Sequence, residues 1–450
     1  MPRILEKLET WFFYLLVFTI PFETRLIVAR WTRPFNEWTA GFVYGTDILI
    51  FLLFVFWIAR ALKTKSSDEL KSSFTETFEL KWSNPHLWLI GFFVVSALSI
   101  FNSGIVGLSL YQLLKLAEFI SFYFYLRSAF GKIYKFREVL MVIIASGIFQ
   151  AAIAIAQYLK QGSLGLKLLG ESPLSVNATG VAVFIADGVK YLRAYGTTPH
   201  PNVLAAWLFL AIFAFYNYYL YFYPIDKSYF GKFLLICQPV LLVGLFFTFS
   251  RTIIGLWALG AAIRVLLLFK KSLHGFWVAT RRYVVAIVII TLVTSSLFAA
   301  FFWPQVKSRA LISTEEEAVT QRVFYNKIAS SVATAHPILG VGIGQFVSQL
   351  IIKLKHWPAN IYQPVHNIYL LIASETGLVG LALFLLFLFF IFYNFIQQAR
   401  LHKAYQYSFL ILAASFLVMG FFDHFLWTLQ QGSLIFWTIL ALLSLNPELG

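Results

Sequence analysis

Long apolar runs separated by shorter polar segments dominate this chain. Several of the runs approach or exceed the roughly 17–25 residues that a helix needs to cross a bilayer. Because lipid cannot hydrogen-bond to the backbone, such runs must form helices. The pattern predicts an all-α, polytopic membrane protein of about twelve transmembrane helices, with residues 1–450 forming one integral membrane domain. The predicted spans are Trp11–Phe22, Asp47–Leu62, Leu87–Phe101, Val106–Leu126, Val139–Leu159, Val203–Tyr221, Phe233–Phe249, Thr252–Phe269, Tyr283–Trp303, Ile368–Tyr393, Tyr407–Phe422 and Gly432–Leu445.

Two long polar segments interrupt this pattern, at residues 160–202 and 304–366. Loops of this length inside a compact fold usually carry function. The second lies between the predicted ninth and tenth helices. Apolar residues recur at near-helical spacing in it, which predicts an amphipathic helix on the membrane surface that ends at Pro337. A capping box is predicted at its start; the candidate pairs are Ser313 with Glu316 and Thr314 with Glu317.

Composition supports a membrane location. Apolar residues make up 60% of the chain and charged residues only 12%, about half of the share that is usual in soluble domains. The net charge of +15 does not indicate a nucleic-acid partner, because the basic residues lie mostly between spans. Their distribution predicts a cytoplasmic N-terminus and two extracytoplasmic long loops. The single cysteine, Cys237, excludes an intrachain disulfide.

Four cations or potential cations converge on the predicted outer side: Arg193, Arg251, Arg322 and His366. Arginine stays protonated and grips phosphate oxygens in a bidentate fork. A histidine at the interface is mostly neutral at pH 7 and can act as a general base. These residues suit a substrate with a lipid tail, a diphosphate and a sugar. The alternative for each arginine is snorkelling to lipid headgroups, and for His366 a structural role at the interface.

Other polar residues have more ordinary interpretations. Lys115 and Glu118 are three residues apart in one predicted span, which favours an ion pair inside the protein. Asp47, Glu375 and Asp423 lie near predicted span ends and could orient the arginines or His366. No metal-like spacing links the outer histidines, so no metal site is predicted; they are His200, His336, His356, His366 and His424.

One motif is more specific. His366-Asn367 is followed by nine residues and then by Gly377-x-x-Gly380. With this spacing, and with the segments RAYGTTPHPN, Ser250-Arg251 and HPILGVGIGQF, the chain resembles the O-antigen ligase and O-antigen polymerase superfamily of bacterial membrane glycosyltransferases.

The resemblance implies metal-independent transfer of a glycan from an undecaprenyl-diphosphate carrier to an acceptor hydroxyl, without a cofactor, at the extracytoplasmic face of the bacterial inner membrane. His366 would be the catalytic base. Arg193, Arg251 and Arg322 would bind the diphosphate. The supporting residues would be Asn367, Gly377, Gly380 and Glu375. The expected partners are the lipid-linked donor, a glycan or lipid acceptor, and membrane lipid.

The sequence also leaves three alternative functions open. A polymerase of the same superfamily would use a second lipid-linked repeat unit as its acceptor. A polysaccharide transporter or flippase would not be an enzyme, although no pair of broken helices in corresponding halves indicates one. A metal-dependent glycosyltransferase would need paired acids in the first outer loop, where Glu23 and Glu37 stand alone.

Overall fold

A computed structural model describes residues 2–63, 81–223, 229–310, 317–354, 357–358, 361–397 and 403–445. Helices dominate these residues, and two short antiparallel hairpins accompany them. The helices are α1 Pro2–Thr19, α2 Gly45–Lys63, α3 Pro85–Leu98, α4 Val106–Ala129, α5 Phe136–Lys160, α6 Pro201–Asn217, α7 Tyr229–Phe247, α8 Arg251–Leu268, α9 His274–Phe301, α10 Trp303–Ala310, α11 Glu317–Ala335, α12 Phe346–Lys353, α13 Ile368–Gln397, α14 Lys403–Met419, α15 Phe425–Thr428 and α16 Gln430–Leu443. The strands are β1 Arg25–Arg30, β2 Ala40–Tyr44, β3 Val183–Ala186 and β4 Val189–Leu192.

Within the described residues, 6 helical segments are long and apolar enough to cross a membrane. They are Pro85–Asn102, Phe136–Lys160, Pro201–Phe222, Arg251–Leu268, His274–Phe301 and Ile368–Gln397. Three shorter apolar helices cover Gly231–Phe247, Lys403–Met419 and Gln430–Leu443. Of the other three predicted spans, Asp47–Leu62 and Val106–Leu126 lie within α2 and α4, and Trp11–Phe22 overlaps α1, which ends at Thr19. The membrane protein and its mostly helical fold are therefore confirmed, whereas the count of about twelve spans stays a prediction.

Helix α6 forms the centre of the molecule. All of its residues except Asn202 are buried, and it packs against α5, α7, α8, α14 and α16. A helix that is apolar on every face is buried on every face. Because Pro201 and Asn202 form its first turn, the segment that precedes it, including Arg193 and His200, is attached directly to this buried helix.

The predicted ion pair in α4 is confirmed. Lys115 Nζ lies 2.9 Å from Glu118 Oε2 and 2.7 Å from Oδ2 of Asp47, which belongs to α2. A charge inside the membrane is costly unless it is paired. Asp47 therefore compensates Lys115, and within the described residues it pairs with neither His366 nor an arginine.

Both long loops contain secondary structure. The first holds the β3–β4 hairpin, and the second holds α10, α11 and α12. The predicted amphipathic helix is α11, which buries Tyr325, Ala329 and Val332 and ends before Pro337. The capping-box residues Ser313, Thr314 and Glu316 lie outside the described residues. Both loops are therefore structured and can hold side chains in fixed positions.

Candidate active site

The histidine motif begins at the start of α13. His366 lies two residues before the first helical residue, and Asn367 caps the helix. The Asn367 Oδ1 atom accepts hydrogen bonds from the backbone N–H groups of Tyr369 at 3.0 Å and Leu370 at 3.1 Å. Such a side-chain cap satisfies donors that have no partner within the helix. Asn367 therefore fixes the helix end from which His366 projects.

The first motif glycine breaks α13. Gly377 has φ 76° and ψ 175°, a conformation essentially restricted to glycine. A Cβ atom at this position would also overlap the carbonyl oxygen of Ile338. After the break, the Leu378 N–H donates to the Pro337 carbonyl at 2.7 Å; before it, the Ser374 carbonyl accepts a hydrogen bond from the Val341 N–H at 3.0 Å. Gly377 thus lets the HPILGVGIG segment dock into the broken helix.

Glu375 and Gly380 support the same junction. Glu375 is buried, and its Oε1 accepts a hydrogen bond from the backbone N–H of Phe346 at 3.2 Å, at the start of α12. A Cβ at Gly380 would overlap the Thr376 hydroxyl. Among the described residues, Glu375 has no hydrogen bond or ion pair with His366 or with an arginine. These motif residues hold the scaffold of the site.

Substituting Gly377 with alanine is expected to destabilise the protein by about 2–6 kcal/mol, because backbone strain and overlap with Ile338 add together. The loss would appear as a lower thermal unfolding temperature of the detergent-purified protein. Gly255→Ala in α8 is the matched control, since nothing lies within 4 Å of the added methyl group. Equal unfolding temperatures for the two variants would contradict this role of Gly377.

The His366 side chain lies in a pocket of aromatic rings. Its ring centroid is 5.0 Å from that of His424 and 6.0 Å from that of Tyr325. The Nδ1 atom of His366 is buried and has no hydrogen-bond partner among the described residues. The potential ligand atoms of His366, Asp423 and His424 all lie within 4.8 Å of one another. A carboxylate therefore stands beside two imidazoles.

A chain of hydrogen bonds connects this carboxylate to Arg193. Asn202 Nδ2 donates to Asp423 Oδ2 at 2.6 Å, and Arg193 Nη2 donates to Asn202 Oδ1 at 2.7 Å. Arg193 Nε in turn donates to the carbonyl oxygen of Thr248 at 2.7 Å. Thr248 belongs to the turn that leads into Arg251 and α8. Three segments of the chain, which contain Arg193 with Asn202, Thr248, and Asp423, thus meet in one hydrogen-bonded network.

Arg251 and Arg309 lie on the Arg193 side of this network. Burial lowers the pKa of Arg193 to about 9; the charges of Arg309 and Arg251 also lower it, while Tyr195 and Asp423 raise it. Arg193 is therefore still protonated at neutral pH. Gathering several guanidinium groups in a partly buried place favours an anion as their partner.

Arg322 lies at the histidine end of the network. Its charge there lowers the pKa of both His366 and His200. The sequence predicts Arg193, Arg251, Arg322 and His366 in one site, and the fold brings Arg193 and Arg251 together at one end and Arg322 and His366 at the other. Arg309 is not predicted, because it lies among other basic residues of a loop and has no distinctive motif around it.

The histidines of the site are neutral at pH 7. Burial lowers the pKa of His366; Asp423 opposes this effect and Arg322 adds to it. Burial likewise lowers the pKa of His424 to about 3 and that of His200 to about 4. For Asp423, burial raises the carboxyl pKa, but His424, His366, His200 and the Asn202 hydrogen bond outweigh it and hold the pKa well below its usual range. A charged carboxylate thus accompanies neutral imidazoles.

Two imidazoles and a carboxylate are also a donor set that zinc accepts. The sequence predicts no metal site, because its histidines show no metal-like spacing. The packing of α13 against α14 nevertheless brings Asp423 and His424 beside His366. His336 is exposed at the end of α11, and His356 lies outside the described residues.

Residues 239–385 match the family model for O-antigen ligase. The chain therefore contains an O-antigen ligase domain, which supports the O-antigen ligase superfamily. The matched segment runs from α7 into α13, so this O-antigen ligase domain contains Arg251, Arg309, Arg322, His366 and Gly377. Arg193, Asn202 and Asp423 come from the flanking helices and loops. None of the curated proteins compared with the chain matches it.

Proposed function

We propose that this protein is a membrane glycosyltransferase that moves a glycan from an undecaprenyl-diphosphate carrier to an acceptor hydroxyl at the extracytoplasmic face of the bacterial inner membrane. The hydrogen bonds that join Arg193 through Asn202 to Asp423, together with the position of Asp423 within 4.8 Å of the potential ligand atoms of His366 and His424, carry this proposal. This arrangement joins a group that can neutralise a phosphate to a group that can accept a proton. The O-antigen ligase domain at residues 239–385 supports an enzyme of this kind over a flippase.

The arginines act on the leaving group. When the bond between the anomeric carbon and the diphosphate oxygen breaks, the diphosphate keeps the electron pair and its negative charge grows. Arg193 and Arg251, with Arg309 beside them, are fixed cations at one end of the network. Preorganised charges of this kind stabilise the transition state because they need no rearrangement during the reaction. Arg322 interacts with the distal phosphate or with the glycan from the histidine side.

His366 acts on the nucleophile. The acceptor hydroxyl oxygen bonds to the anomeric carbon, and its proton passes to the imidazole. Asp423 then stabilises the imidazolium, since the two groups are close enough to affect one another's pKa. His424 is held by a hydrogen bond between its Nδ1 and the Thr428 hydroxyl at 2.6 Å and shapes the pocket around the base.

The direct test is transfer by the purified full-length protein in proteoliposomes, with EDTA present throughout. We expect labelled glycan to move from the lipid-linked donor to the acceptor at an undiminished rate. Loss of transfer that zinc restores would show that the His366, Asp423 and His424 cluster works as a metal site. Movement of the donor across the bilayer without a covalent product would favour a flippase.

The acceptor decides between the two activities of the superfamily. Mass spectrometry of surface glycans from a deletion strain separates them. A ligase leaves uncapped acceptor and accumulates long lipid-linked chains, whereas a polymerase leaves single repeat units. We favour the ligase, because the matched family model is described as O-antigen ligase.

The pH dependence of transfer follows from the lowered pKa of His366. A general base works when it is neutral, so kcat/KM should be constant around pH 7 and fall as the pH drops through the pKa of His366, which lies below the ordinary value of about 6.5. Asp423 raises this pKa, so Asp423→Asn should move the acid limb to lower pH while it also lowers the plateau. An unchanged acid limb in Asp423→Asn would mean that His366 is not the titrating group.

A further inference from the structure

A polar cavity lies beside the pair of histidines His366 and His424. The side chains lining it include those of Arg25, Glu37, Trp38, Gln112, Lys115 and Trp427. They come from the β1–β2 hairpin, from α4 and from α15. The proposed mechanism uses none of these residues.

The cavity shares a wall with the active site. Trp38 contacts His424 edge to face, with ring centroids 4.9 Å apart. Thr428 also lines the cavity and bonds to His424 Nδ1, while Pro364 lies two residues before His366. Asp423, by contrast, connects the same histidines to Arg193 through Asn202. His366 and His424 therefore lie between Arg193 and the cavity.

Charge in the cavity does not favour a phosphate. Arg25 Nη2 lies 2.9 Å from Glu23 and 3.3 Å from Glu37. Lys115 pairs with the carboxylates of Asp47 and Glu118. Each cation is thus already compensated by two carboxylates, unlike the arginines around Arg193. A diphosphate would therefore find no uncompensated cation among these pairs, whereas an uncharged ligand needs none.

The remaining chemistry suits sugar hydroxyls and sugar ring faces. Among the described residues, the Gln112 amide makes no hydrogen bond to another residue. Gly344 leaves room for the Gln112 side chain, because a Cβ atom at position 344 would overlap it. Glu37 is exposed and offers carboxylate oxygens to hydroxyl groups. Trp38 and Trp427 add flat apolar surfaces with N–H donors. A few convergent polar groups on an aromatic wall are typical of sites for uncharged polar ligands.

We propose that this cavity binds the terminal sugar of the acceptor and directs its reacting hydroxyl at His366. The inference rests on the proposed transferase function. In a direct displacement the nucleophile enters opposite the leaving group. Since Arg193 and Arg251 bind the leaving diphosphate on one side of the histidines, the acceptor approaches from the other. The hydroxyl oxygen then bonds to the anomeric carbon, its proton goes to His366, and the carbon–diphosphate bond breaks.

The test measures acceptor binding separately from turnover. The full-length protein in nanodiscs, without donor, is titrated with two probes: delipidated core oligosaccharide and a water-soluble analogue of the repeat unit. Gln112→Leu is expected to raise the Kd of one probe at least tenfold, and Glu37→Gln to raise it severalfold. Gln397→Leu is the matched control, because it makes the same substitution at the exposed far end of α13.

A second measurement distinguishes whether the cavity binds the acceptor or the donor. In the transfer assay, Gln112→Leu should raise the acceptor KM and leave the donor KM unchanged. A raised donor KM with an unchanged acceptor KM, or equal probe binding by Gln112→Leu and Gln397→Leu, would overturn the assignment. If wild-type protein binds a sugar probe but transfers nothing, the transferase proposal fails, although the cavity remains a carbohydrate site.

Discussion

Replacing His366 with alanine is expected to lower kcat for glycan transfer by about 10²–10⁴-fold, which is the usual contribution of a positioned general base. Without the imidazole, the acceptor hydroxyl would have to lose its proton to water in a partly closed site. The effect should appear in kcat with little change in the donor KM, because the arginines that bind the diphosphate stay in place. Initial rates with labelled donor measure it.

The fold should survive this substitution. His366 precedes α13, its Nδ1 makes no hydrogen bond to a described residue, and Asn367 provides the helix cap. His336→Ala is the matched control, since His336 is an exposed histidine in the same long loop. Normal transfer by His366→Ala, or equal losses in both variants, would rule out His366 as the base.

Replacing Arg193 with alanine is expected to lower kcat/KM for the donor by at least about 10²-fold, comparable to removing one preorganised donor from an oxyanion site. The guanidinium has two roles. It bonds to Thr248 and Asn202 through two different nitrogens, and it contributes charge to the arginine cluster. Arg193→Lys should recover only part of the activity, because one ammonium group cannot reproduce this fork.

Arg193→Ala also leaves buried acceptors unsatisfied at a cost of about 1–3 kcal/mol, so a binding measurement must accompany the rates. Inorganic pyrophosphate is the probe. Its inhibition constant should rise several-fold in Arg193→Lys, whose melting temperature should stay close to that of the wild type. Arg281→Ala, which removes an exposed arginine from α9, should change neither quantity. Unaltered pyrophosphate inhibition in Arg193→Lys would refute a role in diphosphate binding.

The predicted elements and the observed ones agree best where one local property decides the outcome. The apolar run at 203–221 coincides with α6 and its continuation, because a helix that is apolar all round must be buried or lie in lipid. The ion pair of Lys115 with Glu118 was predictable from their spacing alone. The added partner Asp47 was not, since it reaches Lys115 from another helix.

The same distinction applies to the site. His366, Asn367 and Gly377 belong to a motif whose spacing is visible in the sequence. Each acts locally: His366 precedes the start of α13, Asn367 caps the helix, and Gly377 breaks it. Asp423 was only one of several acids that could orient the base. His424 was only one of five outer histidines without metal-like spacing, and Arg309 carried no signal, because their proximity to the site depends on how distant helices pack.

By itself, the sequence determined that this is a helical membrane protein, which residues form the motif, and which superfamily it resembles, because hydrophobicity and spacing act along the chain. Only the tertiary structure decided which carboxylate stands beside His366, which arginines cluster, and that a charge-compensated cavity adjoins the histidines. Those contacts join residues far apart in sequence, and their energies depend on burial and geometry that arise only when the helices pack.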